Sequence, residues 1–262
     1  MALIITGLEI AYESCSSLHL LERSIYNGNP CNEKGTHDPN TVAVNAFHDA
    51  DLDGIPQLGL LSTNPSLLIN SANNVFRGST QIGTIPSEPG AIFQAIQRAD
   101  SWIQENTDRV VSLTIISNIG TGSMLLAHPS RNIPAYAQIE FQSDQAVNEL
   151  LLTSPIGYLE LSHGLSKINQ AEFDILGDMF EPGERFPETA LGSIYPRVSD
   201  ESGLAGLIHA SLLLSRKIIP KSSQDLSKEI SSSVKNHPFY IPEQTRPWLD
   251  QGNGFQRSAM LI

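Results

Sequence analysis

Apolar and polar positions along the chain change period several times, and each change marks an element. The run "LIITGLEIAY" near the N-terminus is rich in β-branched residues and predicts a strand. In "SLHLLERSIYNG" Leu18, Leu21 and Ile25 fall on one face of a helix, and Gly28 ends it. From Asn29 to Gly83 short apolar runs such as "GLLSTNPSLLI" are broken by Asn, Pro, Ser and Gly, which predicts irregular structure. Helical period returns in "EPGAIFQAIQRADSWIQEN" through Ile92, Ala95, Ile96, Ala99 and Ile103, with Pro89 compatible with a first turn. "RVVSLTIIS" follows as a buried strand, and Gly120 and Gly122 read as a turn before "SMLLA". Later, "YAQIEFQ" predicts a strand, "SDQAVNELLL" a helix opened by Ser143 or Asp144, and "IGYLELS" another strand. "INQAEFDILGDMF" is amphipathic and "ALGSIYPRV" strand-like. "GLAGLIHASLLLSRKI" is a helix apolar on nearly every side, which places it between layers.

Strands alternating with helices in both halves predict a layered α/β fold whose sheets are covered by helices. The 262 residues suffice for one large unit or two equivalent halves. No run approaches the ~18 apolar residues of a membrane span, so a soluble protein is expected, with no partnership with membranes. No cationic stretch, apolar core and small-residue cleavage site open the chain, so a cytoplasmic home is expected. In that compartment Cys15 and Cys31, the only cysteines, are expected as free thiols, and they are too few for a cysteine-based zinc site. A net charge of −12, without a Lys/Arg stripe, opposes binding to nucleic acid.

Candidate chemistry narrows the picture further. "DADLDG", Asp49 to Gly54, matches the opening of a calcium loop, but Leu60 stands at the twelfth position where a bidentate acid closes the coordination sphere. An acidic turn is the expected reading. The serines after Gly78, Gly122 and Gly192 all miss the G-x-S-x-G frame of a serine hydrolase. "GTG" at Gly120 to Gly122 lacks the third glycine of a dinucleotide site. No two of the seven histidines are spaced i, i+4, so neither a metal nor a cofactor is expected. His163 follows a predicted strand, where a turn can aim its imidazole into a crevice.

Taken in order, these segments resemble the ketosynthase domains of polyketide and fatty acid synthases. "LIITGLEI" and "SLHLLERSIYNG" look like the first strand and the following helix, with Cys15 in the loop between them. "EPGAIFQAIQRADSWIQENTDRVVSLTIIS" is similar to the nucleophile-bearing helix and the next strand, and "IGYLELSHG" to the strand carrying the first catalytic histidine. "LGSIYPRVSDESGLAGLIHASLLLSRKIIP" resembles the region of the second histidine, and "HPFYIPEQTRPWL" a segment near the family's C-terminus. The resemblance implies a thiolase-like α-β-α-β-α architecture of two halves, 1–125 and 126–262, the first shortened between Pro30 and Gly83.

The departures from the family concern its chemistry. Where the nucleophilic cysteine belongs the chain reads "PSEPGAIF", offering Ser87 or Glu88, neither of which supplies a polarizable thiolate. His163 matches the first histidine only with Ser162 as an extra residue, and "YPRVSDESG" holds no second histidine. The pattern is most similar to the degenerate ketosynthase-like region at the front of the acyltransferase-bearing B subunit of bacterial polyunsaturated fatty acid synthases, more so than to a chain-length-factor-like domain. What that implies is a noncatalytic part of a synthase, with acyl carrier protein and other synthase subunits or domains as partners and a possible dimer. The alternatives are residual thioester chemistry as an acyltransferase or decarboxylase at His163 with Ser87 or Glu88, or a carrier-protein binding module. A module of that kind needs a local basic patch, for which Arg185, Arg197, Arg216 and Lys217 are candidates.

Overall fold

The computed structural model describes residues 2–12, 15–27, 31, 38–52, 57–70, 74–76, 78–86, 88, 90–140, 156–161, 168–180, 189–194, 203–222, 234, 237–249 and 257–262. The first apolar run becomes β1 (Ala2–Tyr12), and "RVVSLTIIS" becomes β4 (Arg109–Ser117). With β2 (Gln57–Ser62), β3 (Thr80–Thr84), β5 (Gly120–Ala127) and β6 (Ala137–Glu140) they form a six-stranded sheet in the order β3-β2-β4-β5-β1-β6. β3, β2 and β4 are parallel, whereas β5 runs antiparallel to both β4 and β1. β1 is buried on both faces, and a bulge between Ile5 and Gly7 changes its register. Leu3 and Ile5 before the bulge, and Leu8 and Ile10 after it, therefore all reach the same core cluster despite opposite parity.

Helices cover the outer face of this sheet. α2 (Pro39–Asp49) is capped by Asp38, and α3 (Pro65–Ile69) by Asn64. Ala43, Ala46 and Leu68 of these helices pack on Ile4, Leu58, Leu60, Val110 and Leu125. The approach is close: a Cβ on Gly7 would lie 2.1 Å from the Ala46 carbonyl oxygen, so a side chain there would push α2 off the sheet.

The inner face packs on α1 (Leu18–Asn27), α4 (Ala91–Gln104) and α6 (Leu204–Arg216), in one cluster that continues to Tyr158 and Ala190. Those two residues belong to a second, wholly parallel sheet in the order β10-β8-β7-β12: β7 (Tyr158–Glu160), β8 (Thr189–Gly192), β10 (Phe239–Tyr240) and β12 (Ala259–Leu261). Its far face carries Leu159, Leu191 and Phe239 against Phe173 and Leu176 of α5 (Gln170–Met179), which opens on a capping box of Asn169 and Glu172. The layers are thus helix, sheet, helix, sheet, helix. β9 (Ile218–Ile219) and β11 (Arg246–Pro247) make a short antiparallel ribbon beyond α6.

The periodic segments match expectation. Ile92, Ala95, Ile96, Ala99 and Ile103 are all buried on α4, and nine of the thirteen residues of α6 are buried. Three readings are corrected. Residues 29–83 were expected to be irregular, yet they supply α2, α3, β2 and β3, because segments too short to show a clear period gain their order from packing on β1 and β4. Gly120 and Gly122 do not form the turn; they open β5, and the turn is Asn118 and Ile119. Cys15 and Cys31 are not free thiols but are bonded to each other, since α1 folds back and brings their Cα atoms to 5.1 Å. The expected helix over 143–152 lies outside the described residues.

Candidate functional site

In a parallel sheet covered on both faces, ligands are generally held at the carboxyl ends of the strands. The second sheet has that form, and Glu160 is the last residue of β7. Its side chain is wholly buried. Three donors converge on it: the Ile194 backbone N–H reaches Oε1 at 2.6 Å, the Tyr158 hydroxyl reaches Oε2 at 2.9 Å, and His209 Nδ1 reaches Oε2 at 2.8 Å. As a carboxylate Glu160 only accepts, so Nδ1 of His209 carries the proton. Nε2, the other ring nitrogen, is buried with no hydrogen-bond partner among the described residues.

Each member is placed by its element. Glu160 and Tyr158 share one face of β7 because side chains alternate along a strand. Tyr158 crosses toward β8, and a Cβ on Gly192 would lie 2.1 Å from its hydroxyl oxygen, so only glycine admits the Tyr158 ring at that point. Beyond β8, Ser193 Oγ donates to the Leu161 carbonyl at 2.6 Å and keeps the two chains joined past the ladder. His209 comes from the buried helix α6, whose Gly206 packs on Leu261 and on the Glu160 side chain. Chemically this is an imidazole oriented by a carboxylate, the arrangement that fixes a tautomer and stabilises the charged ring should a proton arrive.

The residues singled out by sequence are distributed differently. Glu88 is exposed and lies two residues before Gly90, the left-handed N-cap of α4 (φ 71°), which carries no side-chain cap. Its carbonyl accepts from Ala91 N–H at 3.2 Å. Ser87 and His163 lie outside the described residues, as do Arg185 and Arg197. The first turns of α4 and α6 meet, since a Cβ on Gly203 would lie 2.9 Å from Ile92 Cγ2. No hydrogen bond or ion pair joins Glu88 to the Glu160 cluster among the described residues. Asp49, first of the calcium-like run, is committed to the fold: it accepts from Leu8 N–H at 2.9 Å and from the Tyr136 hydroxyl at 3.0 Å. Burial, and then the Asp49 carboxylate, push the Tyr136 hydroxyl well above its usual pKa. Among the described residues no three His, Cys, Asp or Glu side chains gather as a metal would need.

Sequence reading missed the pairing of Glu160 with His209. Each left a signal, a carboxylate inside the apolar "YLELS" and a lone imidazole inside a mostly apolar helix, but a separation of 49 positions concealed the pair.

No protein-family model matches the chain, and no curated protein does. Solved structures do. A ketosynthase from module 6 of the bacillaene synthase of Bacillus subtilis 168 superposes with a TM-score of 0.74 at 14% identity, over 100% of this chain and 69% of that one. An oxazolomycin ketosynthase domain from Streptomyces albus JA3453 gives 0.64 at 15% identity, over 95% of this chain and 89% of that one. Ketosynthase twelve of the bacillaene polyketide synthase in Bacillus amyloliquefaciens gives 0.67 at 12%, over 95% of this chain and 69% of that one. The chain has the thiolase-like α/β fold that these polyketide synthase ketosynthase domains share.

Proposed function

We propose that this chain is a catalytically degenerate ketosynthase-like domain, a structural or chain-positioning part of a polyunsaturated fatty acid or polyketide-type synthase. The observation that carries the reading is the start of α4. The fold places a helix N-terminus there, where a thiolate would be activated, and the chain offers Glu88 and Gly90 with no cysteine near them in sequence. The only two sulfhydryl residues lie in the α1 region, buried and bonded to each other, so neither is available to accept an acyl group. Acyl carrier protein and neighbouring synthase domains are the partners this role requires, in a dimer or alone. The cytoplasm remains its proposed site, where burial of both sulfurs shields the bond from reductant.

The test is intact-protein mass spectrometry after incubation with malonyl and long-chain acyl thioesters, with carbon dioxide release followed in parallel. No adduct and no release are expected. A stable acyl adduct on this chain would overturn the proposal. Residual thioester chemistry is favoured by one observation, the oriented imidazole of His209, and it predicts turnover that His209→Gln and His163→Ala abolish.

A further inference from the structure

The bond between Cys15 and Cys31 encloses α1, and its two ends are held differently. Cys15 is tied to the end of β1 by a pair of backbone bonds: Tyr12 N–H donates to the Cys15 carbonyl at 2.8 Å, and Cys15 N–H donates to the Tyr12 carbonyl at 2.9 Å. It is wholly buried, whereas Cys31, beyond the C-terminal end of α1, keeps 9% exposure. α1 has only ten residues, fewer than an isolated helix needs to be stable. Leu18 N–H donates to Glu9 Oε1 at 2.7 Å, Glu22 meets Arg216 at 2.5 Å, and the Ile25 carbonyl accepts from the Thr245 hydroxyl at 3.0 Å. Leu21 and Ile25 supply its buried apolar face. The bond adds a covalent tether across this short helix.

The surroundings of the two sulfurs suit thiols as well as a disulfide. Cys15 Sγ lies 3.9 Å from the Ser17 carbonyl oxygen, and Cys31 Sγ lies 3.4 Å from that of Leu20. A disulfide sulfur carries no proton to donate, so these carbonyls serve the sulfurs only once the bond opens and each becomes an acceptor for one S–H. Two thiols released in the interior therefore find partners at once, and opening the bond leaves no buried donor unmatched. Cys15 also stands just before the first turn of α1, where the Ser17 hydroxyl accepts from Leu20 N–H at 3.3 Å. The positive end of the helix dipole there favours a departing thiolate.

We infer that Cys15 and Cys31 form a reversible thiol–disulfide switch that locks α1, and the connection from α1 to α2, when oxidised and frees them when reduced. The reductant is a dithiol. Its first thiolate attacks the sulfur of Cys31, the residue with remaining exposure; a mixed disulfide forms, the bond between the two cysteines breaks, and Cys15 leaves as a thiolate that takes up a proton. The second thiol of the reductant then closes on the first, and Cys31 leaves and takes up the second proton. Two electrons and two protons pass to the protein, and the reductant ends as a disulfide. A monothiol stops at the mixed disulfide, which Cys15 reverses because its Cα atom is held 5.1 Å from that of Cys31. Burial thus selects the class of reductant without making the bond permanent. The switch does not depend on the proposed synthase role.

The experiment is hydrogen exchange read by mass spectrometry on the full chain in native buffer. The untreated chain is compared with chain exposed to dithiothreitol, or to glutathione at the same thiol concentration, and free thiols are counted by alkylation. Dithiothreitol is expected to release both thiols and glutathione neither. Exchange in α1 should then rise about a hundredfold, the equilibrium factor for losing a loop closed over a separation of 16 residues. α4 and α6 should keep their protection, and oxidised dithiothreitol should restore slow exchange in α1. The Cys15→Ser/Cys31→Ser variant should exchange in α1 as the reduced parent does, with no reductant present. A bond that opens only in denaturant, equal opening by glutathione, or α1 exchange unchanged by reduction would overturn the inference. So would loss of protection throughout the reduced parent or the double variant, which would mark a permanent staple. None of these readouts involves acyl transfer, so the switch and the degenerate role fail separately.

Discussion

Glu160→Ala tests whether the buried cluster holds the second sheet to α6. Glu160 accepts from three donors at full burial, and alanine supplies none of the three bonds. A buried donor left without its acceptor costs about 1–3 kcal/mol, more where the acceptor is charged, and Glu160→Ala takes the acceptor from three donors at once. The three penalties overlap rather than add in full, so a loss of about 4 kcal/mol or more is expected. That is a large share of the roughly 5–15 kcal/mol that stabilises a domain. Glu160→Gln should cost about half as much, because its carbonyl still accepts from Ile194 N–H while its amide can donate to a His209 ring whose tautomer has switched. The assay is urea unfolding followed by circular dichroism, with midpoint and slope compared across Glu160→Ala, Glu160→Gln, His209→Leu and the Glu160→Leu/His209→Leu double variant. The double variant should recover at least about 2 kcal/mol relative to the sum of the single losses, since it removes both partners. A Glu160→Ala protein within about 1 kcal/mol of the parent, or strictly additive losses, would refute the reasoning.

Three further outcomes follow from particular contacts. Gly7→Ala should lower stability by about 1–3 kcal/mol or more, because the new Cβ meets the Ala46 carbonyl and α2 must retreat; thermal melting reads it. Alkylation under denaturing conditions should label neither Cys15 nor Cys31 until a reductant is added, and Cys31→Ser should cost about 3 kcal/mol, the loop-closure value for a separation of 16 residues. Tyr136 should ionise late in an ultraviolet titration. Because its pKa is raised in the folded state, the folded chain binds more protons than the unfolded one above the ordinary tyrosine pKa of about 10. The stability it contributes is therefore full below that pH and falls as pH rises further, and Tyr136→Phe should flatten this part of the urea-midpoint profile.

The elements written in the sequence are those whose own pattern is long enough to dictate burial. α4 repeats its apolar residues over four turns, α6 is apolar on nearly every side, and β1 is a long, mostly apolar run, so period and length alone specify helix or strand and the side that is covered. The absence of a cysteine from "PSEPGAIF", where α4 begins, is likewise a fact of sequence. Only tertiary structure decided the rest. α2, α3, β2 and β3 are too short to be stable or recognisable alone, and they take shape because β1 and β4 offer a surface to pair with and pack on. The parity of β1 rests on a bulge that no alternation rule reveals. Cys15 meets Cys31, and Glu160 meets His209, through chain reversals that bring distant residues within bonding distance. Local pattern encodes which side of an element avoids water; which polar groups then face each other in the interior depends on how the layers stack.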